Sequence, residues 1–447
     1  MPADRLSRTD RPPVRITHLG LGNFFRAHQA WYTSVAPDAG RWGIAAFSGR
    51  SADLASSLEE QAGLYTLVVR GPERDDLSVV GSVAAPHAGT DSVAWRNYLS
   101  RVDVAVITLT VTEVAYRRGR GGGLDDADPE VRADLAGWRD GAEMRTVPGR
   151  LVAGLNARRI AFAGPIAVVC CDNLPGNGAV TRQVMLDFAG VAEPALASWI
   201  RDNVSFVTTM VDRITPRSTP EDVAMVAERG TADAAPVVTE PFTEWLLEGD
   251  FPRGRPTWEA GGARFVSDVR PHELRKLLLL NGGHSLLAYA GSALGLTTIA
   301  EAVADERCRG WLNEWWDEAV RHVPLPANEL ADYRVALLDR FANPRIRHTL
   351  AQIAADGSQK VPIRVLPVLR GERSAGRMPA AAVRALAAWL LHLRGIGVPV
   401  DDSGAEPYRD RARSAREVLA LLAPDLADDG DLVKAIDAAA SITAAPG

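Results

Sequence analysis

Short apolar runs that end in glycines or in polar clusters punctuate the first part of the chain. Val14–Leu19 reads as a strand stopping at Gly20-Leu21-Gly22, and the pattern behind it is helical from about Phe24 through Tyr32. Gly43–Phe47 is a second run, and Tyr65–Val69 with Leu77–Val83 predicts a hairpin around Gly71-Pro72. Val102–Leu109, Ile166–Cys171 and Val204–Val211 are continuous runs rich in β-branched residues, the pattern of strands covered on both faces. Strands alternating with helical stretches predict an α/β fold with a Rossmann-like doubly wound sheet.

From about Asp268 long helical patterns take over: Glu273–Leu294, Ala300–His322, Glu329–Phe341, Ala380–Leu393 and Ala412–Leu422. Prolines and glycines separate them. The expected organisation is therefore a dinucleotide-binding domain over residues 1–265 and a mostly α-helical substrate or catalytic domain over residues 266–447. A chain of 447 residues is long enough for two cores. Arg117–Asp128 is the one low-complexity patch and reads as a loop.

Composition narrows the function classes. The net charge of −6 weighs against a nucleic-acid partner. No run approaches the length of a membrane span, and the polar stretch Met1–Val14 has no apolar signal region behind it, so a cytoplasmic protein is expected. Three cysteines, two of them adjacent, argue against a disulfide framework and a cysteine zinc site. Only Lys276, Lys360 and Lys434 among the 50 basic residues are lysines. An amine can give up its proton at working pH and a guanidinium cannot, so each lysine is a position to question.

Gly20 and Gly22, between a strand and a helix, form a turn whose backbone N–H groups can approach a pyrophosphate. The third glycine of the usual fingerprint is Phe25 here, and Asn23 and Phe24 open the helix. Where an acid usually ends the second strand stands Ser48-Gly49-Arg50-Ser51, with Asp53 close by. Arg50 can receive a 2′-phosphate, which keeps NADP open beside NAD. Three polar clusters follow later strands: Thr110-Val111-Thr112-Glu113, Asp172-Asn173-Leu174-Pro175-Gly176-Asn177-Gly178 and Asp212-Arg213-Ile214-Thr215-Pro216. Each is ordinary turn chemistry alone, but loops at the carboxyl ends of parallel strands border the ligand crevice, and three at one edge favour a site.

In the segment Arg275-Lys276-Leu277-Leu278-Leu279-Leu280-Asn281-Gly282-Gly283-His284, the residues after Arg275 are apolar all round the axis apart from Lys276, Asn281 and His284. On an α-helix, His284 falls about 80° and Asn281 about 140° from Lys276, within one broad side. Lys276 among leucines is expected to have a lowered pKa and to serve as a general base; the alternative is an amine snorkelling to water beside a core histidine. Lys360 and Arg364, in Asp356-Gly357-Ser358-Gln359-Lys360-Val361-Pro362-Ile363-Arg364, are two cations beside a proline-restricted turn, suited to an anionic or hydroxyl-rich substrate end or to a solvated loop.

Together these stretches, with Thr239-Glu240-Pro241-Phe242, resemble the mannitol dehydrogenase family of polyol-specific long-chain dehydrogenases, which includes mannitol 2-dehydrogenases and the fructuronate (mannonate) and tagaturonate reductases. The matching segments run in order from residue 18 to about residue 367, and the chain reads as short for the family. The resemblance implies a metal-free NAD- or NADP-dependent oxidoreductase, with NAD ahead, that interconverts a secondary alcohol with a ketone. It implies Lys276 as the base, Asn173 and Asn281 as the amides holding the reacting oxygen, His284 as a substrate contact, Glu113 as a solvent-gating acid and Asp212 as a substrate-side carboxylate. Gly20, Gly22, Asn23, Phe24, Arg50 and Thr110 are expected at the cofactor, and Lys360 and Arg364 at the substrate. The expected partner is a small sugar alcohol or sugar acid, with no nucleic acid and no membrane, for a monomer or small homo-oligomer. Among substrates D-mannonate/D-fructuronate leads, followed by D-mannitol/D-fructose and D-arabinitol. A 6-phosphogluconate or β-hydroxyacid type of dehydrogenase and a non-catalytic dinucleotide sensor are the more distant alternatives.

Overall fold

The computed structural model describes residues 4–442 except Arg50 and Arg120, so the cofactor assignment to Arg50 lies outside the described residues. The chain divides into two compact units, Met1–Arg270 and Pro271–Gly447. In the first, an eight-stranded sheet is formed by β1 (Val14–Leu19), β2 (Gly43–Phe47), β3 (Val83–His87), β4 (Val106–Leu109), β5 (Ile166–Cys170), β6 (Val204–Asp212), β7 (Glu244–Glu248) and β8 (Arg264–Phe265). Its order is β8-β7-β6-β5-β4-β1-β2-β3. Strands β1 to β6 run parallel, and β7 pairs antiparallel with β6. The first six strands are thus doubly wound, and the order reverses between β1 and β4, the place where such sheets bind ligands.

Every residue of β2, β4 and β5 is buried, because apolar layers cover both faces. One layer gathers around Phe25, Tyr32, Trp245 and Trp258, the other around Trp95, Leu155 and Phe188. Two details depart from the pattern in the sequence. The strand expected from Val102 begins at Val106, and Val102 is exposed where the chain climbs out of the preceding turn. The hairpin pairs Tyr65–Arg70 with Asp75–Val80, and the residues after it form β3, an edge strand that tolerates Pro86 because one of its sides has no partner strand.

The second unit is helical. Helix Gly282–Ala293 lies at its centre, buried from Gly282 through Ser292, and packs against Glu306–Ala319, Leu350–Ala354 and Ala380–Leu393. The helix expected over Ala300–His322 is broken at Asp305, whose carboxylate caps the N–H groups of Arg307 and Cys308 and starts Glu306–Ala319 afresh. The turn expected at Asp356–Arg364 is instead a helix, Gly357–Arg364, entered through Asp356 in the left-handed region (φ 55°). Among the described residues, no helix is long and apolar enough to cross a membrane.

Candidate functional site

The glycine turn closes β1 against its neighbours. Gly20 and Leu21 donate their N–H groups to Phe47 O at the end of β2 (3.0 and 2.9 Å). Gly20 has φ 114°, and a Cβ there would lie 2.0 Å from Thr110 O, so only glycine fits. Gly22 is the N-cap of helix Asn23–Ala27; no side chain caps that helix, and a Cβ at Gly22 would find only Gly20 O, at 3.6 Å. The turn is therefore closed towards the sheet and open on its far side, which fits a bound pyrophosphate.

Phe25, in place of the third glycine, lies flat on His18 of β1 with ring centroids 3.5 Å apart. The glycine of the usual motif lets helix and strand approach closely; here a stacked ring pair joins them. Burial lowers the His18 pKa to about 3, so the ring is neutral, with Thr108 Oγ1 at 2.8 Å on one nitrogen and Thr110 Oγ1 at 3.1 Å on the other. Thr110 Oγ1 also donates to Gly20 O (2.9 Å). The helix expected through Tyr32 breaks at His28 and resumes as Gln29–Val35. Asn23 accepts from Arg26 Nη2 (2.7 Å) and donates to Pro216 O (3.2 Å), and Phe24 stacks on His28, so both side chains shape the turn from within the protein.

The three polar clusters follow the parallel strands β4, β5 and β6 and so share one edge with the glycine turn. Glu113 is exposed and opens a 3₁₀ turn, Glu113–Tyr116. Asn173 is exposed just beyond β5, and Asp212, the last residue of β6, is buried. Asp172, which the sequence left without a role, is buried here and accepts from Val111 N–H (2.5 Å) and from Tyr116 O–H. Burial pushes its carboxyl up to about 7.

The Lys276 segment is not an α-helix. Lys276–Asn281 forms a π-helical turn, and Gly282 N–H bonds back to Leu277 O, five residues earlier. In an i→i+5 ladder residue i+5 stacks nearly over residue i, as i+4 does in an α-helix. The 140° separation of Lys276 and Asn281 expected for an α-helix is therefore too large: the extra residue in the turn swings Asn281 round towards Lys276. Two indoles from another helix brace the turn at its carbonyls, Trp315 Nε1 on Leu278 O (2.9 Å) and Trp316 Nε1 on Leu279 O (3.0 Å), the latter shared with Gly282 N–H. Gly282 lets the Trp315 indole close in, since a Cβ there would meet it at 2.4 Å, and a Cβ at Gly283 would meet Leu312 of the same helix at 2.9 Å. Lys276 and Asn281 are half-buried, whereas Leu278, Leu279 and Leu280 are buried.

One turn on, His284 is 6% exposed and its Nε2 has no hydrogen-bond partner. Its ring stacks on Phe341 (centroids 4.4 Å apart) and meets His348 edge-on (5.0 Å). Burial first, then His348, Arg340 and Arg364, hold its pKa well below the ordinary histidine value. Arg364 Nη1 reaches Ser285 Oγ (3.2 Å) and Asn281 O (3.5 Å), and its Nε is buried without a partner. Arg364 thus joins the Asn281/His284 face. The Lys360 amine instead donates to Ala355 O (2.5 Å) and Ile353 O (3.3 Å). Arg340 and His348 were not singled out in the sequence, and nothing in their spacing marks them; helix Ala327–Phe341 and the loop after it bring them to His284. Among the described residues no group of three or more His, Cys, Asp or Glu side chains is placed to hold a metal ion.

Comparison with known proteins agrees with this architecture. The model of the mannitol dehydrogenase Rossmann domain matches residues 14–260, and that of the mannitol dehydrogenase C-terminal domain matches residues 268–442. The D-mannonate oxidoreductase of Escherichia coli (strain K12) is 35% identical over 95% of this chain and 92% of its own length. The mannitol 2-dehydrogenase of Cereibacter sphaeroides is 34% identical over 90% of this chain and 86% of its own. Among solved structures, the Pseudomonas fluorescens mannitol 2-dehydrogenase ternary complex with NAD and D-mannitol superposes with a TM-score of 0.80 at 32% identity, covering 98% of this chain and 93% of that one. The chain belongs to the mannitol dehydrogenase family of oxidoreductases acting on CH–OH groups.

Proposed function

We propose that Lys276 is the proton-transfer group of an NAD(P)-dependent oxidoreductase whose best substrate pair is D-mannonate/D-fructuronate. The observation that carries this reading is the π-helical turn Lys276–Asn281, whose i→i+5 repeat brings the two positions onto one face of the helix. A nicotinamide, when bound, supplies or accepts the hydride. Lys276 takes the carbinol proton in oxidation and returns it in reduction. Asn281 donates to the reacting oxygen as its charge develops, as an oxyanion-hole group does. The unpartnered Nε2 of neutral His284 is free for a substrate hydroxyl.

At the strand edge of the first unit, Gly20, Gly22, Asn23, Phe24 and Thr110 form the cofactor turn in this reading. Arg50 belongs to the same group by sequence. Asn173 supplies a second amide, Glu113 relays protons to solvent, and Asp212 serves the substrate side. The second strand ends in Ser48 and Gly49 without a carboxylate, so NADPH is to be tested beside the favoured NADH.

The sugar-acid choice rests on cations. Arg340 and Arg364 lie near enough to His284 to depress its pKa, and such partly desolvated cations gain from an anionic partner; His348, its own pKa lowered by burial, is not one of them. The relatives do not decide it, because the mannonate and mannitol enzymes are equally distant at 35% and 34% identity. D-mannitol/D-fructose is the second reading. The test is reduction of D-fructuronate, D-tagaturonate and D-fructose with NADH and with NADPH, followed by nicotinamide absorbance. A kcat/KM highest for fructuronate is expected; fructose as the better substrate would overturn the sugar-acid choice.

A further inference from the structure

The proposed mechanism makes no use of Asp172, although burying a carboxylate is costly unless something requires the charge. Two donors converge on it from one loop. Val111 N–H meets Oδ1 at 2.5 Å, and the fully buried Tyr116 points its O–H at Oδ2. An ionised carboxylate accepts on both oxygens and makes both bonds charge-assisted, the stronger form of this arrangement. The carbonyl of Asp172 accepts from Asn177 Nδ2 (3.0 Å), which also reaches Thr209 O (2.9 Å) on β6, so the anchor itself is braced. Thr181 Oγ1 donates to the Tyr116 oxygen (3.3 Å) and steadies the other side.

We propose that Asp172 is a positioning residue: its carboxylate ties the loop Thr110–Glu113 to the end of β5 and thereby holds the Gly20 turn in the shape that receives the cofactor. The route from Asp172 to Gly20 is short. Val111 follows Thr110, whose carbonyl oxygen would lie 2.0 Å from a Cβ at Gly20 and whose Oγ1 donates to Gly20 O. A shift of Val111 therefore moves the atoms against which the glycine turn is packed.

The tie is sensitive to protons. Burial and the charge of Glu113 push the Asp172 carboxyl up to about 7, while the bonds from Tyr116 and Val111 pull the other way. The other titratable groups facing it are Tyr116, Cys170 and Cys171, all pushed up by burial and therefore neutral across the working range. Below the Asp172 midpoint the carboxyl gains a proton, the Tyr116 hydroxyl has to turn from donor to acceptor, both bonds lose their charge assistance, and the loop is held more weakly.

This inference rests on the reading that a nicotinamide cofactor binds at the Gly20 turn, and it is tested by NADH fluorescence titration of the intact protein on both sides of pH 7. The wild type is expected to bind about tenfold more weakly below the midpoint than above it, the worth of one charge-assisted bond. Asp172→Asn is expected to bind weakly with no pH dependence. Tyr116→Phe removes a donor that lowers the carboxyl's pKa, so its binding midpoint moves to higher pH, a shift that a merely structural role would not produce. A folded Asp172→Asn protein with wild-type affinity and pH profile, or an unmoved midpoint in Tyr116→Phe, overturns the assignment; should Asp172→Asn not fold, Tyr116→Phe decides. Failure of the wild type to bind NADH at any pH would remove the cofactor reading and this inference with it, whereas binding without these shifts removes this inference alone.

Discussion

Trp315 donates its indole N–H to Leu278 O across 2.9 Å, from a helix 37 residues further along the chain. That bond and its neighbour from Trp316 to Leu279 O hold two successive carbonyls of the π-helical turn from outside. A π turn costs backbone hydrogen-bond geometry and survives where surrounding groups compensate for it. The geometry of the Lys276–Asn281 turn thus depends on two tryptophans supplied by another helix.

Trp315→Phe keeps an aromatic ring but removes the N–H donor to Leu278 O and the pyrrole half of a fully buried side chain. A loss of about 1–3 kcal/mol is expected in denaturant unfolding. If the turn relaxes towards an α-helix, Asn281 swings away from Lys276 and kcat falls further than KM rises. A variant with reduced stability but wild-type kcat would separate the turn from catalysis.

Phe25→Gly restores the glycine of the dinucleotide fingerprint, and a reading based on the motif alone expects better cofactor binding. The stack on His18 argues the reverse. Removing a fully buried ring from the helix–strand interface is expected to cost about 3–5 kcal/mol, as large-to-small core changes do. Urea unfolding and NADH titration together check this: lower stability with affinity unimproved is the expected pair of results.

Glu372 is a buried carboxylate that accepts from Arg377 Nε (2.6 Å), Arg321 Nη1 (2.8 Å) and His322 (2.9 Å). The bond from Arg377, first among these influences, brings its pKa down to about 2. A carboxyl depressed on folding stabilises the native state above its unfolded value of about 4.3 and loses that contribution as pH falls towards the folded value. Glu372→Gln should therefore melt below the wild type at neutral pH, with the gap narrowing between about pH 4 and pH 2. A constant gap across that window would assign its effect to packing.

How much of this was legible in the sequence follows from the range of each interaction. β5 announces itself as an uninterrupted apolar run, and β4 as one broken only by Thr108, because parallel strands are covered on both faces; the Gly20 turn is legible because φ 114° admits glycine. β7 was missed, since Glu244-Trp245-Leu246-Leu247-Glu248 is a brief run beside a turn and pairs antiparallel at the far side of the sheet. The break at Asp305 was legible in principle, because an aspartate before a fresh amphipathic turn is an N-cap signal. The π turn was not: helical spacing assumes 100° per residue, and what changes it is supplied by Trp315 and Trp316 from another helix. Asp172 was hidden for a related reason. In Asp172-Asn173-Leu174-Pro175-Gly176 it looks like turn chemistry, and only the approach of Tyr116 reveals its use.

His284→Phe separates stability from activity. Burying a polar atom without a partner costs about 1–3 kcal/mol, while replacing it by an apolar group of similar shape can be neutral or favourable. A phenyl ring can keep the stack on Phe341 and ends the burden of an unpartnered Nε2 among the cations Arg340 and Arg364. The expected protein unfolds within about 1 kcal/mol of the wild type or above it. It binds NADH normally and turns over about 10²-fold more slowly, the scale of losing one preorganised polar contact to a reacting substrate. Because the histidine is held neutral, its protonation should leave no limb in the wild-type pH–rate profile around pH 6 to 7. Thermal unfolding beside steady-state kinetics decides the matter. A destabilised His284→Phe protein that still turned over would mean that the ring belongs to the core, and the substrate contact would have to be sought at Arg364 or Asn281.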